Sequence, residues 1–308
     1  MTEAKEDQTL RAAQWPEDAD TLRRIRAAVF IDEQGVAEAV EWDGRDAEAL
    51  HVVAEVDGNA AGCGRLLPDG RIGRLAVLPQ YRSRGLGSAL LQQLLYLARQ
   101  AGRREVYLHA QAGAAAFYER AGFRPRGEPF EEAGIAHIDM HLALDYRDWN
   151  ETLTRISYPR PFDQLAVAQA RLARRELRIL SPLLDPRVFD QDDLLAALRQ
   201  LLRHTRMSRV QVLVQDARAV VQRSHGLLQL ARRLPSSVEM RRLSEHADWR
   251  GDTLVIRDRS GLLALPASET DPGFYRPDDR ARCETALGRF DELWRAGVVD
   301  PEFRALQL

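Results

Sequence analysis

The chain has 308 residues, 45% of them hydrophobic, and a formal net charge of −2, so it is long enough for two domains of about 150 residues with separate cores. No apolar run approaches the roughly 20 residues a bilayer span needs, the acidic start MTEAKEDQTL is the opposite of a signal peptide, and Cys63 and Cys283 stand far apart without metal-type spacing. Membrane spans and thiolate metal sites are thereby excluded, and a soluble cytoplasmic protein with reduced thiols is expected. The small net charge hides an asymmetry: residues 151–308 carry 26 Arg against 22 Asp plus Glu, or +4, which leaves −6 for residues 1–150. Lys5 is the only lysine, so an arginine here carries little information about why arginine was used.

Thr9 to Trp15 reads as an opening strand ended by Pro16. A helix starting near Asp18 carries Leu22, Ile25, Val29 and Phe30 at helical spacing. Phe30 to Leu50 keeps no period and holds many carboxylates, which predicts a long loop or short helix, ordered because Ile31, Val36, Val40 and Trp42 are embedded in it. His51 to Val56 alternates as a strand, Asp57-Gly58-Asn59 makes a hairpin turn, and Ala60 to Leu67 returns. Pro68-Asp69-Gly70 then leads into a strand from Ile72 to Leu78.

Next comes a basic, glycine-containing turn, Gln80 to Gly87, and a helix from about Ser88 to Gln100. Leu90, Leu91, Leu94, Leu95 and Ala98 form one apolar stripe on it, and Gly102 is a stop signal. Gly85 and Gly87 permit backbone approaches that side chains would block. Amides between Arg82 and Ser88 can therefore point into one concavity at the positive end of a helix, a site for phosphate or diphosphate, with Arg82 and Arg84 adding charge beside it. A P-loop would need Lys before Ser88, and a dinucleotide fingerprint would need glycine where Leu90 stands.

After the helix, Glu105 to Ala110 is a strand parallel to the Ile72 strand, because a helix joins them. Ala112 to Arg120 is a short helix closed by Gly122, and Phe123 to Gly127 and His137 to Leu144 complete the sheet.

Arg82-x-x-Gly85-x-Gly87, between a strand and a helix, resembles the acetyl-CoA diphosphate loop of the GNAT N-acetyltransferase superfamily. The segments Val29 to Gln34, Glu41-Trp-Asp43, Phe117-Tyr-Glu-Arg-Ala-Gly-Phe123 and His137 to Met140 are similar to its small bacterial ElaA-type subgroup. The resemblance implies a GNAT fold over residues 1–148, a mixed, strongly twisted sheet with splayed parallel strands. It implies acetyl-CoA as co-substrate and direct acetyl transfer to a primary amine, on a metabolite or a protein. Leu75, Ala76 and Val77 would offer backbone hydrogen bonds to the pantetheine arm, and Arg82, Ser83, Arg84, Gly85, Leu86, Gly87 and Ser88 would grip the diphosphate. The Val77 N–H would face the developing oxyanion. Tyr118, beside the cofactor, would protonate the departing thiolate. Glu33, Asp46, His51, His109 and His137 are candidates for receiving the amine proton, with Glu33 preferred, and the acidic loop suits a cationic acceptor. No residue set suggests a metal.

Residues Asp145 to Pro161 break all periodicity, which places a boundary near 148. In residues 149–308, helices Phe162–Arg175, Asp190–Arg206 and Ala219–Arg233 alternate with strands Leu177–Leu180, Arg209–Val214 and Val238–Leu243; two further strand-like runs, Thr253–Arg257 and Gly261–Leu265, are joined by a turn at Asp258 to Ser260, and helix Arg280–Ala296 closes the unit. That alternation predicts a second α/β domain with a mostly parallel sheet. Its order resembles one half of a phospholipase D-like fold, but around His246 the lysine of that family's motif is replaced by Asp248 and its aspartate by Thr253, so a catalytically silent module for target selection or dimerisation is expected. The excess of +4 and the lack of an aromatic-basic motif argue against nucleic acid. Homodimerisation stays open. An alternative is an acetyl-CoA sensor without turnover whose C-terminal module is the effector.

Overall fold

A computed structural model describes residues 7–205, 207–268 and 271–304. Contacts divide the chain into two units, Met1–Leu144 and Asp145–Leu308. No helix among the described residues is long and apolar enough to cross a membrane.

The first unit opens with β1 (Gln8–Ala13) and α1 (Ala19–Arg26), which continues as a π-helical turn, Ala27–Glu33, and is followed by one turn of helix, α2 (Glu38–Glu41). Then come β2 (Leu50–Val56), β3 (Asn59–Leu66) and β4 (Ile72–Val77), paired antiparallel in the order β1-β2-β3-β4. The long helix α3 (Leu86–Gln100) buries the predicted stripe of Leu90, Leu91, Leu94, Leu95 and Ala98, packing against β2, β3 and β4. Four buried leucines at about 2 kcal/mol each contribute roughly 8 kcal/mol as an upper bound, which fixes the helix and therefore its front end.

β5 (Glu105–Gln111), α4 (Ala115–Arg120), β6 (Arg124–Pro125), β7 (Phe130–Glu132) and β8 (Ile135–Ala143) complete this unit, with β5, β6 and β7 all pairing β8 antiparallel. β4 and β5 meet only through a parallel bridge between Arg71 and Tyr107 at their N-terminal ends. Beyond it they belong to separate ladders, so a gap opens toward their C-terminal ends.

The long loop is ordered by a buried ionic network. Arg26, 1% exposed, donates from Nε to Glu41 Oε1 (2.6 Å) and from Nη1 to Asp46 Oδ1 (2.8 Å). Arg65 reaches Asp46 Oδ1 at 2.9 Å and Asp43 at 2.6 and 2.8 Å, and Arg74 Nε lies 2.9 Å from Glu41 Oε2. The Arg26 guanidinium also covers the Trp42 ring at 4.8 Å. Burial alone pushes the Glu41 carboxyl above its ordinary range. Burial works the same way on Asp43 and Asp46, but hydrogen bonds from the arginines outweigh it and hold both below.

In the second unit seven strands form one sheet. Its elements, in chain order, are β9 (Leu153–Ile156), α5 (Phe162–Leu172), β10 (Glu176–Leu180), α6 (Pro186–Phe189), α7 (Asp192–His204), β11 (Arg209–Val214), α8 (Ala217–Gln222), α9 (Gly226–Arg233), β12 (Val238–Arg242), β13 (Thr253–Arg257), β14 (Gly261–Leu265), β15 (Gly273–Arg276), α10 (Arg280–Ala296) and α11 (Pro301–Arg304).

The expected mostly parallel sheet is corrected here. Only β10-β11 and β11-β12 are parallel, whereas β10-β13, β13-β14, β14-β15 and β15-β9 are antiparallel. Helices separate the first three strands, but short connections join β13 to β15, and short connections produce antiparallel neighbours. The predicted helix Ala219–Arg233 is broken, because Ser224 has φ +48° and His225 Nδ1 caps α9 by accepting from Leu227 N–H at 3.2 Å. β9 lies inside the stretch read as an aperiodic boundary.

Candidate active site

The register of β3 against β4 decides what the gap presents. Leu78 N–H donates to Ala61 O at 2.9 Å, and the pairs Gly62–Val77 and Cys63–Ala76 follow in sequence. Hydrogen-bonded pairs alternate along an antiparallel ladder, so Val77 turns both its N–H and its C=O away from β3, toward the gap. Arg74, with φ +53°, sits at the irregularity between Cys63 and Arg65. Leu75, Ala76 and Val77 form one wall of a cavity of about 330 Å3.

At the end of β4, Ser83 (φ +62°) and Gly85 (φ +83°) turn the chain into α3. The first bond inside the helix runs from Ala89 N–H to Gly85 O, 3.0 Å, so the amides of Leu86, Gly87 and Ser88 have no intrahelical acceptor and mark the helix's positive end. Gly85 needs its left-handed conformation. Gly87 does not, and a Cβ there would meet nothing nearer than Phe117 Cζ at 3.8 Å. Neither backbone nor packing requires that glycine, and its missing side chain leaves the front of α3 open to close approach. These features fit an acetyl-CoA diphosphate.

The two loop arginines behave differently from the sequence reading. Arg82 donates from Nε to Val77 O at 2.9 Å and from both Nη atoms to Glu33 at 2.6 and 2.7 Å. Its charge is therefore paired, and the Glu33 carboxyl is held below its ordinary range by that hydrogen bond. Arg84 donates to Gln80 O at 2.9 Å and lies over the Tyr81 ring. The cradle is thus mainly backbone.

Tyr118 lines the cavity, held edge-on by Phe117 and Phe123. Desolvation pushes its phenol up to about 12, so it keeps its proton over the working pH range. Asp46 and His51 are not among the cavity's lining residues. Asp46 serves two arginines, and His51, 2% exposed, stacks on Trp15 and contacts Asp46 O through Nε2 at 2.9 Å. With Glu41, Asp43 and Asp46 all spent on arginines, the acidic loop does not offer these carboxylates to a cationic acceptor.

His109 and His137 do line the cavity. His137 Nδ1 lies 2.8 Å from Ile135 O. His109 Nδ1 lies 2.8 Å from Glu132 Oε2 and 2.9 Å from Arg71 Nη2. Arg71 also reaches Glu132 Oε1 at 3.3 Å. The guanidinium has that oxygen as an alternative acceptor, whereas the carboxylate can only accept, so we assign the proton to His109 Nδ1 and leave Nε2 a lone pair. Glu132 was missed in the sequence reading. It closes β7 just before a turn in which Ala133 and Gly134 have φ +53° and +75°, and only that turn brings it back beside His109.

Comparison with known proteins follows the same division of the chain. Residues 16–144 match the family profile described as Acetyltransferase (GNAT) domain, and residues 158–306 match a domain of unknown function, DUF7931. The uncharacterized N-acetyltransferase YjcF of Bacillus subtilis is 34% identical over 120 residues, 38% of this chain and 86% of that protein. Protein ElaA of Escherichia coli is 30% identical over 127 residues, 39% of this chain and 83% of that protein. The ElaA crystal structure aligns over 43% of this chain and 98% of its own with a TM-score of 0.40. By its domain profile and these relatives, the chain belongs to the GNAT acetyltransferase family and is an acyltransferase.

Proposed function

We propose that the protein transfers acetyl from acetyl-CoA directly to a primary amine. The observation that carries this is the conjunction of amides at the front of α3 with a β4 edge turned into the gap beside Tyr118. Acetyl-CoA supplies the acetyl group activated as a thioester. Leu86, Gly87 and Ser88 hold the diphosphate by their N–H groups, with the loop residues Arg82, Ser83, Arg84 and Gly85 shaping the turn. Leu75 and Ala76 bound the pantetheine path, and Val77 N–H donates to the carbonyl oxygen as charge develops there, a contribution of about 3 kcal/mol. Formation of acetylated amine together with free CoA thiol, assayed with acetyl-CoA and a panel of amines, tests the reading, and absence of turnover with every amine would reject it.

In this scheme the amine must lose a proton and the leaving sulfur must gain one. Tyr118 gives the proton to sulfur. A phenol near 12 transferring to a thiolate near 8.5 faces roughly 5 kcal/mol uphill, so the step depends on the hydrogen bond being in place as the C–S bond breaks, and on the phenol being replenished from solvent. Tyr118→Phe is expected to lower kcat by about 10- to 100-fold with acetyl-CoA affinity unchanged, measured by rapid-quench turnover beside calorimetry; a wild-type kcat would assign the proton to solvent.

Glu33 is a poor proton acceptor while Arg82 grips both of its oxygens. His109 replaces it in our scheme, because its Nε2 is left with a lone pair and Glu132 can stabilise the imidazolium as it forms. His109→Gln should lower kcat/KM by about 100-fold or more with acetyl-CoA affinity unchanged. Retention of the wild-type rate would move the role to His137. The second unit, on this reading, does no chemistry and serves target selection or self-association. His246, in its turn with Asp248 Oδ2 3.7 Å from Nδ1, is given no catalytic part.

A further inference from the structure

The second unit contains a cleft of about 1060 Å3 between the starts of β10 and β11, the β13–β14 turn and the first half of α10. Six arginines line it: Arg174, Arg175, Arg178, Arg209, Arg259 and Arg280. Four carboxylates accompany them, and each has a traceable situation. Asp258 accepts from the backbone N–H groups of Arg174, Arg175 and Glu176 at 2.9 to 3.0 Å and forms no ion pair with a guanidinium among the described residues. It pins the segment that holds two of the arginines at the rim. Glu176 is shared between Arg178 (2.8 Å) and Arg209 (2.6 Å), and Asp291 stands 4.0 Å from Arg178 Nε. Glu284, exposed on α10, is the remaining one.

The guanidiniums of Arg174, Arg175, Arg259 and Arg280 have no ion pair or side-chain hydrogen bond among the described residues. Four like charges around one concavity repel one another, and an anion bridging them relieves that repulsion. Arg280 adds to the tension by standing in the first turn of α10, where a cation is disfavoured.

A second observation comes from the floor of the cleft. Gly288 lies in mid-helix of α10 without a positive φ, and a Cβ there would meet nothing within 4 Å. An interior helical glycine costs about 1 kcal/mol relative to alanine, and neither conformation nor packing requires this one. Its missing side chain leaves α10 open to close approach from the cleft.

We propose that this cleft binds a small anion bearing two or more phosphate groups. Guanidiniums offer paired donors to phosphate oxygens, and several phosphates are needed to span four of them. No aromatic side chain lines the cleft, so there is no platform on which a single-stranded nucleic acid would stack. The ligand is recognised by its phosphates alone, whether as inorganic oligophosphate or as the phosphate chain of a nucleotide.

The test is calorimetric titration of the full chain with tripolyphosphate at low salt, repeated in the Gly87→Glu chain so that the front of α3 cannot account for the heat. Binding should persist in Gly87→Glu, weaken when salt is raised, and fall by about 10- to 100-fold in Arg174→Gln/Arg280→Gln, which removes two charge-assisted contacts. Both side chains are exposed, so an unchanged melting temperature will verify that the double variant folds. ATP binding as tightly as tripolyphosphate identifies the phosphates alone as the determinant. ATP binding more tightly through the same arginines identifies a nucleotide as the source. Absence of tripolyphosphate binding, or binding indifferent to the double variant, overturns the proposal. So does an oligonucleotide that outcompetes tripolyphosphate at the same arginines, which would make the cleft a nucleic-acid site.

Discussion

Gly87→Glu is expected to abolish CoA binding while leaving the protein at least as stable as the parent. The two outcomes have one origin. The glycine occupies the first turn of α3, and its missing Cβ faces open space, with Phe117 Cζ at 3.8 Å and Val77 Cγ2 at 4.0 Å as the nearest groups. The Cβ of a glutamate therefore fits at ordinary contact distance, its helical propensity exceeds that of glycine by about 0.5–1 kcal/mol, and its charge is favourable at a helix N-terminus. The same carboxylate occupies the space where the amides of Leu86, Gly87 and Ser88 would meet a diphosphate. Two unit charges about 5 Å apart repel by roughly 3 kcal/mol at an effective dielectric of 20, and the lost amide contacts add to that, so the affinity should fall by more than about 100-fold. Calorimetry with CoA and a thermal melt on the same sample decide the matter. Undiminished CoA affinity would remove the front of α3 from the site, and a large drop in melting temperature would mean that Gly87 serves packing after all.

The parts of this molecule that were legible in the sequence are those whose cause is local. The α3 stripe repeats every three to four residues, and its five members are all buried. The hairpin at Asp57-Gly58-Asn59 needs positive φ at Asp57 and Gly58 and has it. By contrast, the pairing of Arg26 with Asp46 spans 20 positions and that of Arg65 with Asp43 spans 22. Nothing in a run of acidic residues says which arginine will be folded over it, and in this loop Glu41, Asp43 and Asp46 are taken up by Arg26, Arg65 and Arg74 from other elements. The same limit applies to Glu33. Its partner, Arg82, lies 49 residues away, and Glu33 is not among the residues that line the cavity. The second sheet failed differently, because β13 and β14 have the same apolar look as buried parallel strands and β15, four residues with alternating burial, offers no such run. Connection length, not strand composition, carried the direction of pairing.

Two arginines of the first unit, Arg11 and Arg26, each hold two carboxylates but differ in burial. Arg11 holds Asp18 at 2.8 Å and Glu55 at 2.9 Å, yet its side chain is 41% exposed. Exposed pairs are worth at most about 1 kcal/mol, so Arg11→Gln should barely move the melting temperature. Arg26 also holds two carboxylates, at 2.6 and 2.8 Å, but with its side chain 1% exposed and theirs 3% and 8%. Arg26→Met keeps the length and the contact with Trp42 while removing the charge, which leaves Glu41 to Arg74 and Asp46 to Arg65. Breaking a buried pair from one side costs about 3–5 kcal/mol; the two remaining arginines place the expected loss near the lower end, and the melting temperature should fall by roughly 6–12 °C. Because the loop from Asp32 to Leu50 is held down by these bonds and by little else of regular structure, proteolysis of the variant should begin within it. If Arg26→Met melted with Arg11→Gln, the arginine cluster would be dispensable and apolar contacts of Val36, Val40 and Trp42 would have to be what orders the loop.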